Sequence, residues 1–356
     1  MGSEKVSDGI ASQKKLLHAI SSLMPLAIIA GLLYAAFFIK PTVTSKAVPP
    51  PLFERRDHLY GIATAEDKSV WAVGSDGKVL HTDQAGGDWK WGAQKSGTEL
   101  NLQAVAAWDK QRAIAVGNYG VALYTEDGGA TWHNAEAPKS SVANKLVRVK
   151  ALAEGFGYAI GEYNAILKST DYGKTWARLR LEKDVVWYGF DVVGKKILAV
   201  GEFGRTLVSF DDGAIWQEVQ TPTKVHLTGA AFKNEQEAVM VGLNGTILKT
   251  ANGGKQWTII QTGIDEHVYD VIWDGRQYLA CGDRGLLVTS ADGTKWASLD
   301  SGLDAIQRNY LWFTQIQKFG QGYLVAGSNL ALVENKKFRD LSVLIPAQTS
   351  DSSAVK

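Results

Sequence analysis

The stretch from Gly161 to Trp176 reads GEYNAILKSTDYGKTW. A glycine turn leads into a short apolar strand, which ends in Ser169-Thr-Asp171-Tyr-Gly173-Lys-Thr175-Trp176. Variants recur as GSDGKVLHTDQAGGDW from Gly74, GNYGVALYTEDGGATW from Gly117, GEFGRTLVSFDDGAIW from Gly201 and GLNGTILKTANGGKQW from Gly242. A sixth copy, GDRGLLVTSADGTKW from Gly282, is one residue shorter; a seventh, GSNLALVENKKF from Gly327, keeps the strand and loses the turn chemistry. Successive first glycines lie 43, 44, 40, 41, 40 and 45 residues apart. A spacing of about 40–50 residues is that of a four-stranded propeller blade. The expected fold is all-β, a seven-bladed β-propeller of four-stranded antiparallel blades over residues 57–342.

The second repeat shows how each blade is read. Leu102–Trp108 forms an inner strand, Ala113–Val116 a second strand, Val121–Thr125 a third and Thr131–Asn134 an outer one. Gly117–Gly120 makes a tight turn between the second and third strands. The second strands, with Ala72, Ala115, Ala159, Ala199, Met240, Ala280 and Val325 at their centres, are apolar throughout. That pattern suits a strand covered on both faces by neighbouring blades. Cys281, the single cysteine, sits in such a run, so no internal disulfide forms and packing alone holds the ring. A net charge of +1 carries no basic footprint for nucleic acid.

Ahead of the repeats, residues 1–15 are polar and 16–39 are free of formal charge, LLHAISSLMPLAIIAGLLYAAFFI. As a helix at about 1.5 Å per residue this run covers a hydrocarbon core of about 30 Å. It is longer than the core of a cleaved signal peptide and lacks a good small-x-small site, so an uncleaved signal anchor is favoured. Lys14 and Lys15 place residues 1–15 in the cytoplasm and the repeats outside it, in the periplasm of a bacterial inner membrane. Residues 40–56, with Pro41 and Pro49-Pro50-Pro51, read as a stiff tether, and 343–356 as a disordered tail.

The segment S/T-x-D-x-G-x-x-W resembles the Asp-box, or bacterial-neuraminidase repeat. Ser169–Trp176 matches in full, with Asp171, Gly173 and Trp176. Thr125–Trp132 (Asp127) and Ser209–Trp216 (Asp211) match well, and Thr250–Trp257 has Asn252 for the aspartate. The chemistry is local: the acid accepts N–H groups of its own turn, the glycine supplies positive φ, and the tryptophan packs between sheets. These are scaffold residues. The domain as a whole, best seen at Ala115–Trp132, resembles the photosystem II stability/assembly factor propellers and their bacterial relatives. That resemblance implies a non-enzymatic protein, without cofactor, that assembles or stabilises an integral-membrane complex. Some bacterial relatives accompany inner-membrane transporters of the resistance-nodulation-division class.

Strand order puts the turns between second and third strands on one face with the inter-blade connections, and the box turns on the other. On the first face Tyr119, Tyr163 and Phe203 are equivalent residues of consecutive blades, with Glu162, Glu202 and Arg205 beside them. Trp187 and Tyr188 begin the fourth inner strand near the same rim, and Arg284 is the sixth blade's turn residue. Such a group suits a protein interface; each ring covering only its own hairpin is the alternative. The residues before the inner strands read His58, Asn101, Lys145, Val186, His226, His267 and Tyr310. Their histidines are spread round the ring, so solvated imidazoles rather than a zinc site are expected. A glycan- or small-ligand-binding propeller is a second reading. A sialidase-like glycosidase is a third, for which the expected Arg-Ile-Pro near the first blade is missing.

Overall fold

The computed structural model describes residues 18, 21–35, 37, 57–83, 85–86, 89–142 and 144–342. The chain divides into two units, Met1–Pro50 and Pro51–Lys356. In the first, residues 21–35 are helical. Among the described residues no helix is long and apolar enough to cross a membrane. The ends of the 16–39 segment lie outside the described residues, as do 1–15, 40–56 and 343–356.

The second unit is a ring of seven antiparallel four-stranded sheets, each built from four strands consecutive in the chain. The inner strands are Leu59–Thr64, Leu102–Ala107, Leu146–Ala151, Trp187–Val193, Leu227–Phe232, Val268–Trp273 and Phe313–Phe319. Second strands such as Ala113–Gly117 and Tyr278–Gly282 are buried along their whole length, which explains their lack of polar residues. Apolar clusters then form between blades: Ile114 and Val116 of the second blade pack with Ala159, Leu167 and Trp176 of the third. Burying aliphatic and aromatic surface at about 25 cal/mol per Å² makes these seams the main source of stability. Cys281 is fully buried in one of them. Burial pushes its thiol well above the ordinary value, so it is packing rather than reactive chemistry.

Among the described residues the ring closes without strand exchange. Leu59, Ile62 and Val70 of the first blade share a cluster with Leu324, Ala326 and Leu332 of the seventh. Side chains tie the junction: Gln315 Oε1 accepts the Ile62 N–H at 2.7 Å, Thr314 Oγ1 donates to the Tyr60 carbonyl at 2.9 Å, and Thr64 Oγ1 donates to the Lys318 carbonyl at 3.4 Å.

The boxes are turns that hydrogen-bond themselves. In the third blade Asp171 Oδ1 accepts from Ser169 Oγ at 2.8 Å and from the Thr175 N–H at 3.0 Å, while Oδ2 takes the Thr175 hydroxyl at 2.7 Å. Ser169 Oγ accepts the Gly173 N–H at 3.0 Å, and Gly173 has φ +80°, where any Cβ would press on Ile114. Trp176 Nε1 donates to the Gly173 carbonyl at 2.9 Å and the ring lies in the seam with the second blade. Asp127 and Asp211 repeat the pattern, Gly213 taking the glycine's part in the fourth blade. Trp216 and Trp257 copy the indole bond to Gly213 and Gly254, whereas Trp132 turns its Nε1 to Gln94 of the first blade at 3.4 Å.

Candidate functional site

Every inner strand carries a bulge after its first residue, as in the register shifts Leu59/Gly61, Trp187/Gly189 and Phe313/Gln315. The bulge aims the first residue into the inter-blade core and re-aims the next. This corrects the expectation for Trp187. It is 3% exposed, and its Nε1 donates to Asn164 Oδ1 at 2.9 Å, so it is core and offers no surface. Tyr188, the bulged residue, is half-buried on the rim.

The turns between second and third strands share one construction. In six of them two successive residues have positive φ: Asp76-Gly77, Tyr119-Gly120, Tyr163-Asn164, Phe203-Gly204, Asn244-Gly245 and Arg284-Gly285. Left-handed pairs match the twist of the flanking strands. They cost a β-carbon residue some strain, and the first position is nonetheless occupied by Tyr119 (φ +54°), Tyr163 (+55°) and Phe203 (+53°). Tyr119 is 74% exposed and Phe203 57%, while Tyr163 is half-buried. Arg284 is exposed at the sixth blade.

The residue before each of these pairs ties the turn to its own inner strand. The Glu162 N–H donates to Lys145 O at 2.8 Å and its Oε2 accepts the Lys145 N–H at 3.0 Å. Ser75 and Ser328 serve His58 and Trp312 in the same way. Glu162 therefore has a scaffold duty. The Glu202 N–H donates to Val186 O at 3.2 Å, with no matching side-chain bond among the described residues. Arg205 pairs with Glu218 at 3.3 Å on the adjoining outer strand.

Trp312, not Tyr310, precedes the seventh inner strand: the single helical turn Ala305–Arg308 lengthens that connection and leaves Tyr310 exposed. Trp312 stacks near Tyr60 at 6.4 Å and His58 at 5.3 Å. Each rim histidine has aromatic neighbours of its own: His226 meets Phe203 at 4.9 Å and Tyr188 at 6.0 Å, and His267 meets Tyr269 at 6.2 Å. His267 Nδ1 also accepts the Asn244 N–H at 3.0 Å. Among the described residues no group of three metal-ligating side chains converges.

The central channel, which sequence reasoning left undescribed, holds a cavity of about 390 Å³. Arg148 crosses it from the third blade, its Nη2 donating to Thr314 O at 3.0 Å and Tyr269 O at 3.4 Å. Lys150 pairs with Asp191, whose Oδ2 accepts the Phe232 N–H of the next blade at 2.7 Å. Asp270 Oδ2 accepts the Ile316 N–H at 3.1 Å. Burial holds the Asp270 carboxyl above its usual range, against the pull of Arg148. These carboxylates stitch neighbouring blades together.

Fold and boxes define the class, a seven-bladed Asp-box propeller with a rim of aromatic turns. The chain belongs to the family described as Photosynthesis system II assembly factor YCF48, matched over residues 90–189 and 208–304, more than half its length. It is similar to YCF48 bound to a D1 peptide, with 18% identity and TM-score 0.62 over 78% of this chain and 90% of that one. YCF48 from Cyanidioschyzon merolae gives 18% and 0.61 over 79% and 94%. The GH74 xyloglucanase from Xanthomonas campestris gives 16% and 0.60 over 78% of this chain and 52% of that one. At these identities the likenesses establish the fold alone. No curated protein matches the chain in sequence.

Proposed function

We propose that the propeller is a non-enzymatic docking module that binds, and helps assemble or stabilise, an integral-membrane protein complex. Membership of an assembly-factor family carries this reading. A similar propeller is known with a peptide bound, in keeping with a fold that holds segments of other proteins.

The face carrying the second-to-third-strand turns is the docking face. Six of the propeller's large exposed apolar residues lie on its turns and connections: Tyr119, Val142, Leu181, Phe203, Ile306 and Tyr310. The chain also arrives and leaves on this face. Asp57 pairs with Lys78 just after the first blade's turn, and Ser342 Oγ accepts the Leu330 N–H beside the seventh's. With residues 16–39 as a signal anchor of a bacterial inner membrane and 40–56 as a tether, the propeller would be held to that membrane. A transporter of the resistance-nodulation-division class is the partner this arrangement would suit. A glycan-binding propeller and a glycosidase are the alternative readings, and the xyloglucanase shares the fold alone. Against a glycosidase, Asp191 and Asp270 in the channel and Glu162 on the rim each accept a backbone N–H of the scaffold.

Cross-linking in the native membrane tests this. A specific integral-membrane complex should be recovered, and lost when Tyr119, Tyr163 and Phe203 are replaced together by alanine with the melting curve preserved. Recovery of only lipid and envelope polysaccharide would overturn the proposal.

A further inference from the structure

Among the described residues, Phe203 is the one aromatic turn tip whose ring meets a histidine of the next blade. The position before the next inner strand is Lys145 for Tyr119's blade and Val186 for Tyr163's, but His226 for Phe203's. Phe203 and His226 have ring centroids 4.9 Å apart at 44°, and Tyr188 meets His226 at 6.0 Å and 64°. Three rings from three backbone segments thus meet through the His226 ring, with Phe203 open to solvent.

The charge around Tyr188 is acidic, while Arg205 and Lys224 line the hollow beside Phe203. Burial, then the nearby carboxylates of Glu202 and Glu162, raise the Tyr188 phenol above its ordinary value. Glu162 is occupied by the Lys145 N–H, whereas the Glu202 carboxylate makes no hydrogen bond or ion pair among the described residues. Arg205, the nearest cation in sequence, is held by Glu218.

Angled aromatic faces beside an uncompensated carboxylate are what a cation over rings needs: quadrupole attraction from the rings and a counter-charge at the edge. We propose that Tyr188, Phe203 and His226, with Glu202, form a receptor for a lysine or arginine side chain presented by the protein partner. The inference rests on the docking reading and names the chemistry of its contact.

The test uses the full chain in detergent and a short fluorescent lysine–serine peptide, with its acetyl-lysine counterpart as the neutral control. The lysine peptide should bind and the acetylated one should not. Phe203→Leu and Glu202→Gln should each weaken binding by about threefold to tenfold, the range of one partly exposed cation–ring or charge contact. Asp283→Asn, an acid of the sixth blade's turn, should leave it unchanged. Equal binding of the acetylated peptide, or indifference to both Phe203→Leu and Glu202→Gln, would overturn the receptor. Were the membrane complex still captured then, the docking reading would stand without it. A receptor that behaves as expected with no complex captured would sink the docking reading alone.

Discussion

Asn252 Oδ1 accepts the Gln256 N–H at 3.0 Å, the bond that Asp171 makes to Thr175 in the third blade. A neutral amide does the work of the box carboxylate, because the turn requires an acceptor and not a charge. Asp171→Asn should therefore cost little, while Asp171→Ala, which strands several turn donors, should cost about 1–3 kcal/mol in urea unfolding.

Acid separates the two chemistries. Hydrogen bonds from the Thr131 hydroxyl and then its N–H bring the Asp127 carboxyl down to about 2 from 3.8. A depressed carboxylate contributes stability that is present above its unfolded value and lost as pH falls through the folded one. The Asp127→Asn variant should show a shallower loss of melting temperature than wild type between about pH 4 and pH 2; parallel curves would mean that protonating Asp127 does not cost the turn its acceptor.

Trp176 is 7% exposed and wedged between the second and third blades. Its replacement by alanine should cost about 3–5 kcal/mol, as aromatic truncations in cores do. An unchanged denaturation midpoint would mean the seam is held elsewhere.

Closure of the ring depends on side chains where other junctions have the same packing plus continuous chain. Gln315→Leu leaves the buried Ile62 N–H without its acceptor, a loss of about 1–3 kcal/mol. Hydrogen exchange should localise the loosening to the first and seventh blades.

Asp270 behaves oppositely to the box acids. Its raised carboxyl favours the protonated form in the fold, so stability declines as pH rises from the unfolded carboxylate range through the folded value. Asp270→Asn keeps an acceptor for Ile316 and removes the buried charge. The variant should melt higher than wild type at neutral pH and equally at about pH 4.

The blade count, the strands and the boxes were legible because each repeats a local rule: a glycine where φ is positive, alternation where strands pair, a tryptophan where sheets meet. The rim was legible only in part. Trp187 and Tyr188 look alike in sequence, and a one-residue bulge sends the first into the core and leaves the second at the surface. The helical turn Ala305–Arg308 shifted the seventh blade's phase, moving Trp312 to the place expected for Tyr310. Arg148 has no local signature because its partners, Tyr269 O and Thr314 O, lie in blades far along the chain. His226 was singled out, but its pairing with Phe203 spans two blades and has no local signature.

Because every blade is one unbroken stretch of chain and side chains tie the first to the seventh, no strand is borrowed across the join among the described residues. Such a wheel has no obligatory first spoke. Duplication or loss of a single 40- to 45-residue segment adds or removes a whole blade without rethreading any other, so the modern variety of turn tips sits on units that were free to diverge one at a time.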